Sequence, residues 1–317
     1  MGFVKARGSS LYYEERGEGP PILLIPPSGA TASTWGALPG DLAGAGRVIA
    51  YDRRGYTRSG GEIVRSAAEH ARDAAAVLEA LQARPAVVVG TSAGATIARD
   101  LAVRRPDLVR TIVVHEAAWR ALRHPDASGL GTLAAMQWLA WRGRYPEAAE
   151  TLLRWVYSYR DGGSAWDAFP AAWRQIAREN GRSVVADVKS SMGGYPHGKD
   201  LATIAAPVVC TYGSRSRSYM RPLTLAGPGH PDSEREGDRR HGARGPIRRA
   251  RHLRPGHHRR DAPIRGPIGP PRFPPGCLKV TLAAWARESL AKLSRRHLRH
   301  MTRRRPAACA APVRALR

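Results

Sequence analysis

Cysteines and long apolar runs are both scarce in this chain. The three cysteines in 317 residues, Cys210, Cys277 and Cys309, are too widely spaced to suggest a zinc site or a disulfide framework. No run of about 18 apolar residues is present, as a membrane-spanning helix would require. The first residues, MGFVKARGSS, lack the apolar core of a secretion signal. We therefore expect a reduced, cytoplasmic protein without a membrane span and without a bound metal.

Acidic residues are also few, 26 against 51 lysines and arginines, which leaves a net charge of +25. The imbalance is concentrated in residues 221–317, which hold 24 basic and 6 acidic residues, 13 of the 25 prolines and 7 of the 11 histidines. Such a composition, without apolar periodicity, is typical of disorder. We predict one organised domain over residues 1–220 and a largely disordered basic tail over 221–317, with one amphipathic helix at 278–300.

Residues 1–220 alternate between apolar strands and amphipathic helices. This alternation predicts an α/β fold with a doubly wound, mostly parallel sheet covered on both faces. The predicted strands are two short ones joined by a turn at Gly8–Ser10, then one from about Ile22, one at 47–52, one at 86–90, one at 109–118 and one at 207–212.

The alternation stops between Glu116 and Pro207, where the sequence is helical and rich in aromatic residues. We predict a helical cap over about 117–200. Trp138, Trp141 and Trp155 recur at roughly helical spacing. They are expected to pack in the core of this cap, and they are also candidates to line an apolar substrate pocket.

The segment VVVGTSAGATIARDLA carries the strongest chemical signal. Gly90, Ser92 and Gly94 form a G-x-S-x-G pattern between an apolar strand and an amphipathic helix. In that context the small residues permit a tight turn that lifts a serine hydroxyl above the sheet. The alternative is a glycine-rich turn needed only for close packing of strand and helix.

With these residues the chain resembles the α/β-hydrolase family over about residues 3–220. GTSAG resembles the family's nucleophile turn, LLIPPSG its oxyanion loop, and YDRRGYTRS the next strand with its loop. The resemblance implies a serine hydrolase that acts on an ester or related small acyl substrate without a cofactor. Ser92 would be the nucleophile, and the N–H groups of Ser28 and Ala93 would be the oxyanion donors. Pro26 and Pro27 replace the family's common His-Gly pair.

The family places its catalytic acid after one of two strands. The loop after the strand at 207–212 reads YGSRSRS and contains no carboxylate, whereas the preceding strand ends at Glu116. Glu116 is therefore the predicted acid, with a merely structural carboxylate at the cap hinge as the alternative. His115 is expected to point to the opposite side of the strand and to be structural.

The family's catalytic histidine follows the last core strand by about thirty residues. His230, in GPGHPDS, has a suitable local sequence, but it follows Gly213 too soon for an intervening helix and strand. We include it as a candidate base and interpret it as a coincidental match.

A shift of reading frame near residues 221–226 would explain the missing base and the unusual tail together. RHGARGPIR, residues 240–248, has a synonymous coding that reads Gly-Thr-Gly-His-Ala-Ala-Pro-Phe one base later. That histidine would fall across the codons of Ala243 and Arg244, at the family's spacing. The family's last strand and helix would then be missing, and we expect lowered stability and weak or no hydrolase activity.

A second class of function is a non-catalytic binding protein whose basic tail contacts nucleic acid or anionic surfaces. The tail contains one Phe and one Trp and no recognition motif, so it has few aromatic side chains that could stack on nucleic-acid bases. The expected partner is thus a small acyl substrate and no specific nucleic acid. The sequence does not predict an oligomeric state.

Overall fold

The computed structural model describes residues 1–117, 127–191, 198–213 and 215–217. The predicted tail, its helix at 278–300, His230 and the predicted loss of a last strand and helix all lie outside these residues. Seven strands form one sheet in the order β1-β2-β4-β3-β5-β6-β7. They are β1 (Gly2–Ala6), β2 (Ser9–Arg16), β3 (Pro21–Ile25), β4 (Arg47–Tyr51), β5 (Ala86–Thr91), β6 (Val109–His115) and β7 (Val208–Thr211).

The sheet is antiparallel at one edge and parallel elsewhere. Strands β1 and β2 form a hairpin, and β2 pairs antiparallel with β4. The neighbours from β4 through β3, β5 and β6 to β7 are all parallel. Strands β3 and β5 are apolar on both faces because helices or turns cover both sides of the sheet. The predicted doubly wound, mostly parallel sheet is confirmed.

Eight helices accompany the sheet in the described part of the chain. They are α1 (Leu38–Leu42), α2 (Ala67–Ala80), α3 (Ala93–Arg104), α4 (Ala127–Trp141), α5 (Tyr145–Val156), α6 (Ala171–Glu179), α7 (Gly181–Ser191) and α8 (Gly198–Leu201). Helices α2, α3 and α8 contribute to the larger apolar core on one face, while α1 and the turn at Ala32–Trp35 pack on the other. No helix among these is long and apolar enough to cross a membrane.

Helices α4 to α7, which we call the cap, lie between β6 and β7 and share an apolar cluster of their own. Its buried members include Met136, Leu152 and Val184. The expectation that all three tryptophans pack in a core is wrong for Trp138 and Trp141, which are 52% and 79% exposed. Helix α4 buries the face that carries Met136 and Ala140 instead. Trp155 packs against the cluster as predicted.

Candidate active site

Ser92 occupies a strained backbone position between β5 and α3. Its φ and ψ are 51° and −115°, in a region that residues with a side chain rarely adopt. The Ser92 N–H donates to the carbonyl of His115, and the Ser92 carbonyl accepts from Ala95 and Thr96. These bonds fix the turn from both sides. Strain of this kind, held by its surroundings, is typical of functional positions.

The two glycines of the motif are required by close contacts. A Cβ on Gly90 would overlap the carbonyl of Gly94, and a Cβ on Gly94 would overlap the carbonyls of Ile25 and Pro26. Helix α3 therefore begins directly against the end of β3. Close packing of the backbone is enough to explain why both residues are glycines. Because of this packing, the N-terminus of α3 lies beside the loop that contains Ser28.

The candidate oxyanion donors lie on either side of this contact. Ser28 follows β3, Ala93 is the first residue of α3, and both are partly exposed. No hydrogen bond within the described ranges uses the N–H of Ser28 or of Ala93. The first N–H groups of a helix have no partner within the helix, and the helix dipole favours negative charge there. Two backbone donors are thus available to an anion near Ser92.

Glu116 lies at the carboxyl end of β6, beside the Ser92 turn. The register pairs Thr91 with His115, so Glu116 follows β6 as Ser92 follows β5. One oxygen of its carboxylate, Oε1, accepts from the N–H of Gly213 at 2.9 Å and from the hydroxyl of Ser216. The carboxylate therefore reaches into the loop after β7, the loop that has no carboxylate of its own.

His115 does not point away from Glu116 as the alternation of a strand predicts. Glu116 has a positive φ of 47°, which ends the alternation and brings its Oε1 within 3.9 Å of His115 Nε2. His115 Nδ1 lies 3.0 Å from the hydroxyl of Thr211 on β7. Burial lowers the pKa of His115, and the charge of Glu116 partly opposes this. Burial at the strand ends thus favours the neutral form of His115.

No described residue forms a hydrogen bond with the Ser92 hydroxyl. The two histidines in the described ranges, His70 and His115, have other surroundings. His70 is buried on α2, and burial together with Arg53 lowers its pKa to about 3. A general base needs a pKa near the working pH and reach to the proton that it removes. The candidate base His230 lies beyond residue 217.

The loops of the site are attached to the cap by side chains that the sequence reading missed. Asn180, Ser183 and Asp187, at the start of α7 and along it, are spaced three and four apart and are all buried. We call these three residues the α7 docking face. Residues at this spacing share one side of a helix. The spacing of three polar residues was visible in the sequence, but nothing there showed what the face would contact.

Each residue of the α7 docking face bonds to a loop at the end of a core strand. Asn180 Oδ1 accepts from the N–H and hydroxyl of Thr57, and the Ser183 hydroxyl donates to the carbonyl of Gly55. Asp187 accepts from the hydroxyl of Ser28 in the oxyanion loop. The cap is therefore joined to both loops by directed polar contacts.

Arg53 forms the buried centre of these contacts. Its side chain has no exposed surface, and it donates to Asp187 at 2.7 and 3.2 Å and to the carbonyl of Pro27 at 3.3 Å. The Tyr56 hydroxyl also donates to Asp187, at 2.5 Å. Burial opposes ionisation of Asp187, but the charge and hydrogen bonds of Arg53 hold its pKa below the usual range. The pair is buried and oppositely charged, a costly arrangement unless both partners stay together.

The described residues contain no group of three His, Cys, Asp or Glu side chains that could hold a metal ion. The chemistry available at these strand ends is that of a serine hydroxyl, a carboxylate and two backbone N–H donors.

Comparison with known proteins agrees with the fold described above. A family model described as the alpha/beta hydrolase fold matches residues 20–164. The uncharacterized hydrolase YraK of Bacillus subtilis (strain 168) is 36% identical over 126 residues, which are 39% of this chain and 46% of that protein. The chain spans less than half the length of the first curated relatives it matches.

Solved structures share the fold at lower identity. The esterase EaEST from Exiguobacterium antarcticum superposes with a TM-score of 0.58 at 16% identity, over 73% of this chain and 88% of that one. An alpha/beta hydrolase from Sphaerobacter thermophilus DSM 20745 gives 0.54 at 22% identity, over 72% and 89%. The sheet order, the serine turn between β5 and α3, and the family model over residues 20–164 together show that this chain has the alpha/beta hydrolase fold.

Proposed function

We propose that the protein is a serine hydrolase of small ester or related acyl substrates, with Ser92 as the nucleophile. The observation that carries the proposal is the strained Ser92 turn, set between two unused backbone N–H donors and a carboxylate at the end of the next strand. The Ser92 hydroxyl attacks the acyl carbonyl, and the Ser92–acyl bond forms as the alcohol leaves. Water then releases the acid and restores the hydroxyl.

Each neighbour has a role in this scheme. The N–H groups of Ser28 and Ala93 bind the oxyanion of the tetrahedral intermediate, where charge develops. Glu116 orients and stabilises a protonated histidine base, as the acid of a triad does. The two hydrogen bonds that Glu116 accepts from the loop after β7 hold the carboxylate in one place.

The base is the incomplete part of the scheme. We propose that residues after about 225 are translated from a shifted frame and that the chain has lost its catalytic histidine. Loss of one triad member costs roughly 10⁴- to 10⁶-fold in rate, so turnover is expected to be weak. The coding sequence tests this directly, since codons that cannot spell Gly-Thr-Gly-His across residues 240–244 contradict it.

A fluorophosphonate probe tests the nucleophile. We expect slow covalent labelling of the full chain at Ser92 and none in Ser92→Ala, with the labelled peptide identified by mass spectrometry. Labelling that persists in Ser92→Ala contradicts the assignment. Absence of labelling from the native chain, even at long times and with added imidazole, contradicts the proposed function.

Added imidazole tests the missing base. In the native chain, free imidazole is expected to accelerate hydrolysis of a short-chain aryl ester by supplying the absent base. Ser92→Ala gives the rate of hydrolysis by imidazole alone, and this rate is subtracted. Glu116→Gln is expected to reduce the imidazole-dependent rate, because an amide does not stabilise a cation. Fast hydrolysis without imidazole indicates that the chain supplies its own base, and His230→Ala then tests that residue.

A further inference from the structure

The oxyanion loop of this chain is held from two sides by groups on other elements. Its Pro27 carbonyl accepts from Arg53, and its Ser28 hydroxyl donates to Asp187 on α7. The next residue, Gly29, has a φ of +78°, and a Cβ there would be within 3.3 Å of Ala177 and closer still to Leu153, both of the cap. The loop thus has little freedom to move independently of the cap.

The bond from Arg53 to Pro27 has a specific consequence for Ser28. The Pro27 carbonyl and the Ser28 N–H belong to the same planar, trans peptide group, and in such a group the C=O and N–H bonds point in opposite directions. A carbonyl held toward Arg53 therefore leaves the Ser28 N–H pointing away from Arg53. The N–H of Ala30 also donates to the Pro27 carbonyl, at 3.3 Å, and supports the same orientation.

Arg53 depends in turn on the cap. It is fully buried, lies over the ring of Tyr56 at 4.2 Å, and finds its carboxylate partner in Asp187. A buried guanidinium without a counter-ion is strongly unfavourable, so α7 must be docked for Arg53 to hold its place. The Oδ2 oxygen of Asp187 accepts hydrogen bonds from Arg53 and from the hydroxyl groups of Tyr56 and Ser28.

From this geometry we propose that Arg53 and Asp187 are positioning residues for the oxyanion hole. The ion pair fixes the peptide between Pro27 and Ser28 in the orientation that binds the oxyanion, and it does so only when the cap is docked through α7. A substrate that holds the cap in place thereby also completes the oxyanion hole. The inference rests on the proposed function for its catalytic meaning, while the orientation of the loop can be measured independently.

The test compares the native chain with three variants. Arg53→Met/Asp187→Leu removes both charges, so that no uncompensated ion remains buried. Arg53→Lys keeps a charge but loses the fork that reaches Asp187 and Pro27 together. Ser183→Ala is the matched control, because it removes a bond of the α7 docking face to Gly55 without touching the oxyanion loop. Circular dichroism establishes that each variant is folded.

Two measurements report on the oxyanion loop. Hydrogen exchange of the amides of residues 28–32 is expected to accelerate at least about tenfold in the double variant, with β5 unchanged. Fluorophosphonate labelling of Ser92 is expected to slow by about 10- to 100-fold in its maximal rate, with little change in the probe's half-saturating concentration. Arg53→Lys should recover part of both effects, and Ser183→Ala should stay within about twofold of the native chain.

Unchanged exchange and labelling in the folded double variant overturn the proposal. An equal effect of Ser183→Ala on both measurements also overturns it, because general loosening of the cap would then suffice. If the native chain does not label at all, the hydrolase function fails, and the exchange measurement alone decides whether the ion pair positions the loop.

Discussion

The turn at Ser92 and the loop at Ser28 meet at the same edge of the sheet, but they are held by different means. Much of the geometry of the turn comes from residues within four positions of each other. The backbone of Gly94 passes so close to Gly90 that a side chain at Gly90 would overlap it. The loop depends on Arg53 and Asp187, which are separated from each other by 134 positions. The Ser92 turn is therefore shaped largely by residues close in sequence, with one steric contact to the end of β3, whereas the Ser28 loop keeps its place only when distant elements are packed.

Substitutions disrupt the Ser92 turn and the Ser28 loop in different ways. A side chain added in the turn overlaps backbone atoms, and no movement of a flexible side chain relieves this overlap. The loop loses its support when one member of the buried ion pair loses its partner. Stability measurements on single variants separate the two cases, and the largest loss is expected for the buried ion pair.

Asp187→Ala tests the support of the Ser28 loop. It leaves Arg53 buried without a counter-ion, and the free energy of unfolding is expected to fall by about 3–5 kcal/mol. Urea unfolding followed by tryptophan fluorescence measures the change. In Arg53→Met/Asp187→Leu most of this loss should be recovered, since no charge is left unpaired. A double variant as unstable as Asp187→Ala would show that packing, and not charge, dominates at this site.

Gly94→Ala tests the steric requirement of the Ser92 turn. The added methyl group meets the carbonyls of Ile25 and Pro26, so we expect a loss of about 3 kcal/mol in the free energy of unfolding and no labelling of Ser92. The matched control is Gly131→Ala on α4, where the added Cβ contacts nothing within 4 Å. This control should be stabilising by up to about 1 kcal/mol, the difference in helix propensity. Equal effects in the two variants would contradict the steric argument.

His70 gives the cap contacts a pH dependence. Its native pKa is lowered to about 3, mainly by burial, against about 6.5 in an unfolded chain. Between these values the unfolded chain binds a proton that the native protein does not, so stability falls as the pH falls. The expected loss from pH 7 to pH 5 is about 2 kcal/mol.

His70→Gln provides the comparison, because a glutamine does not titrate. Urea unfolding at the two pH values should show a smaller loss than in the native chain. A residual slope is expected from His115, whose pKa burial also lowers. The same slope in both chains would exclude His70 as its source.

Arg105→Met tests an ion pair of the ordinary surface kind. Arg105 bonds to Glu79 and Asp107 at 2.6 and 2.7 Å, but all three side chains are about a third exposed or more. Solvent screens such pairs, and we expect a change below about 1 kcal/mol in the urea unfolding experiment, decreasing with added salt. A loss comparable with that of Asp187→Ala would remove the distinction between buried and exposed pairs.

The sequence predicted the elements of the sheet because their signals are local. Strands such as β3 and β5 are short apolar runs bounded by turns, and α2 is an alanine-rich amphipathic segment, so each is legible in a window of about ten residues. The serine turn was predictable for the same reason, since its glycines and serine lie within five positions. The proposed roles of Glu116, Ser28 and Ala93 came from resemblance and stay predictions.

The failures have a common physical origin. The tryptophans of α4 share a helical spacing, but only the packing against α5 and α7 decides which side of the helix is buried. His115 and Glu116 were expected on opposite sides of β6, and a positive φ at Glu116 brings them together. Neither fact is encoded in a short window of sequence.

What the sequence alone determined is therefore the order of the strands and helices, the position of the candidate nucleophile and the abrupt change of composition near residue 221. The tertiary structure decided which charged residues are buried and which loop each one holds. An arginine in the loop after β4 and an aspartate on α7 are ordinary surface residues in a linear reading. They become an ion pair because folding removes water from both, and the free energy of each then depends on the other being in place.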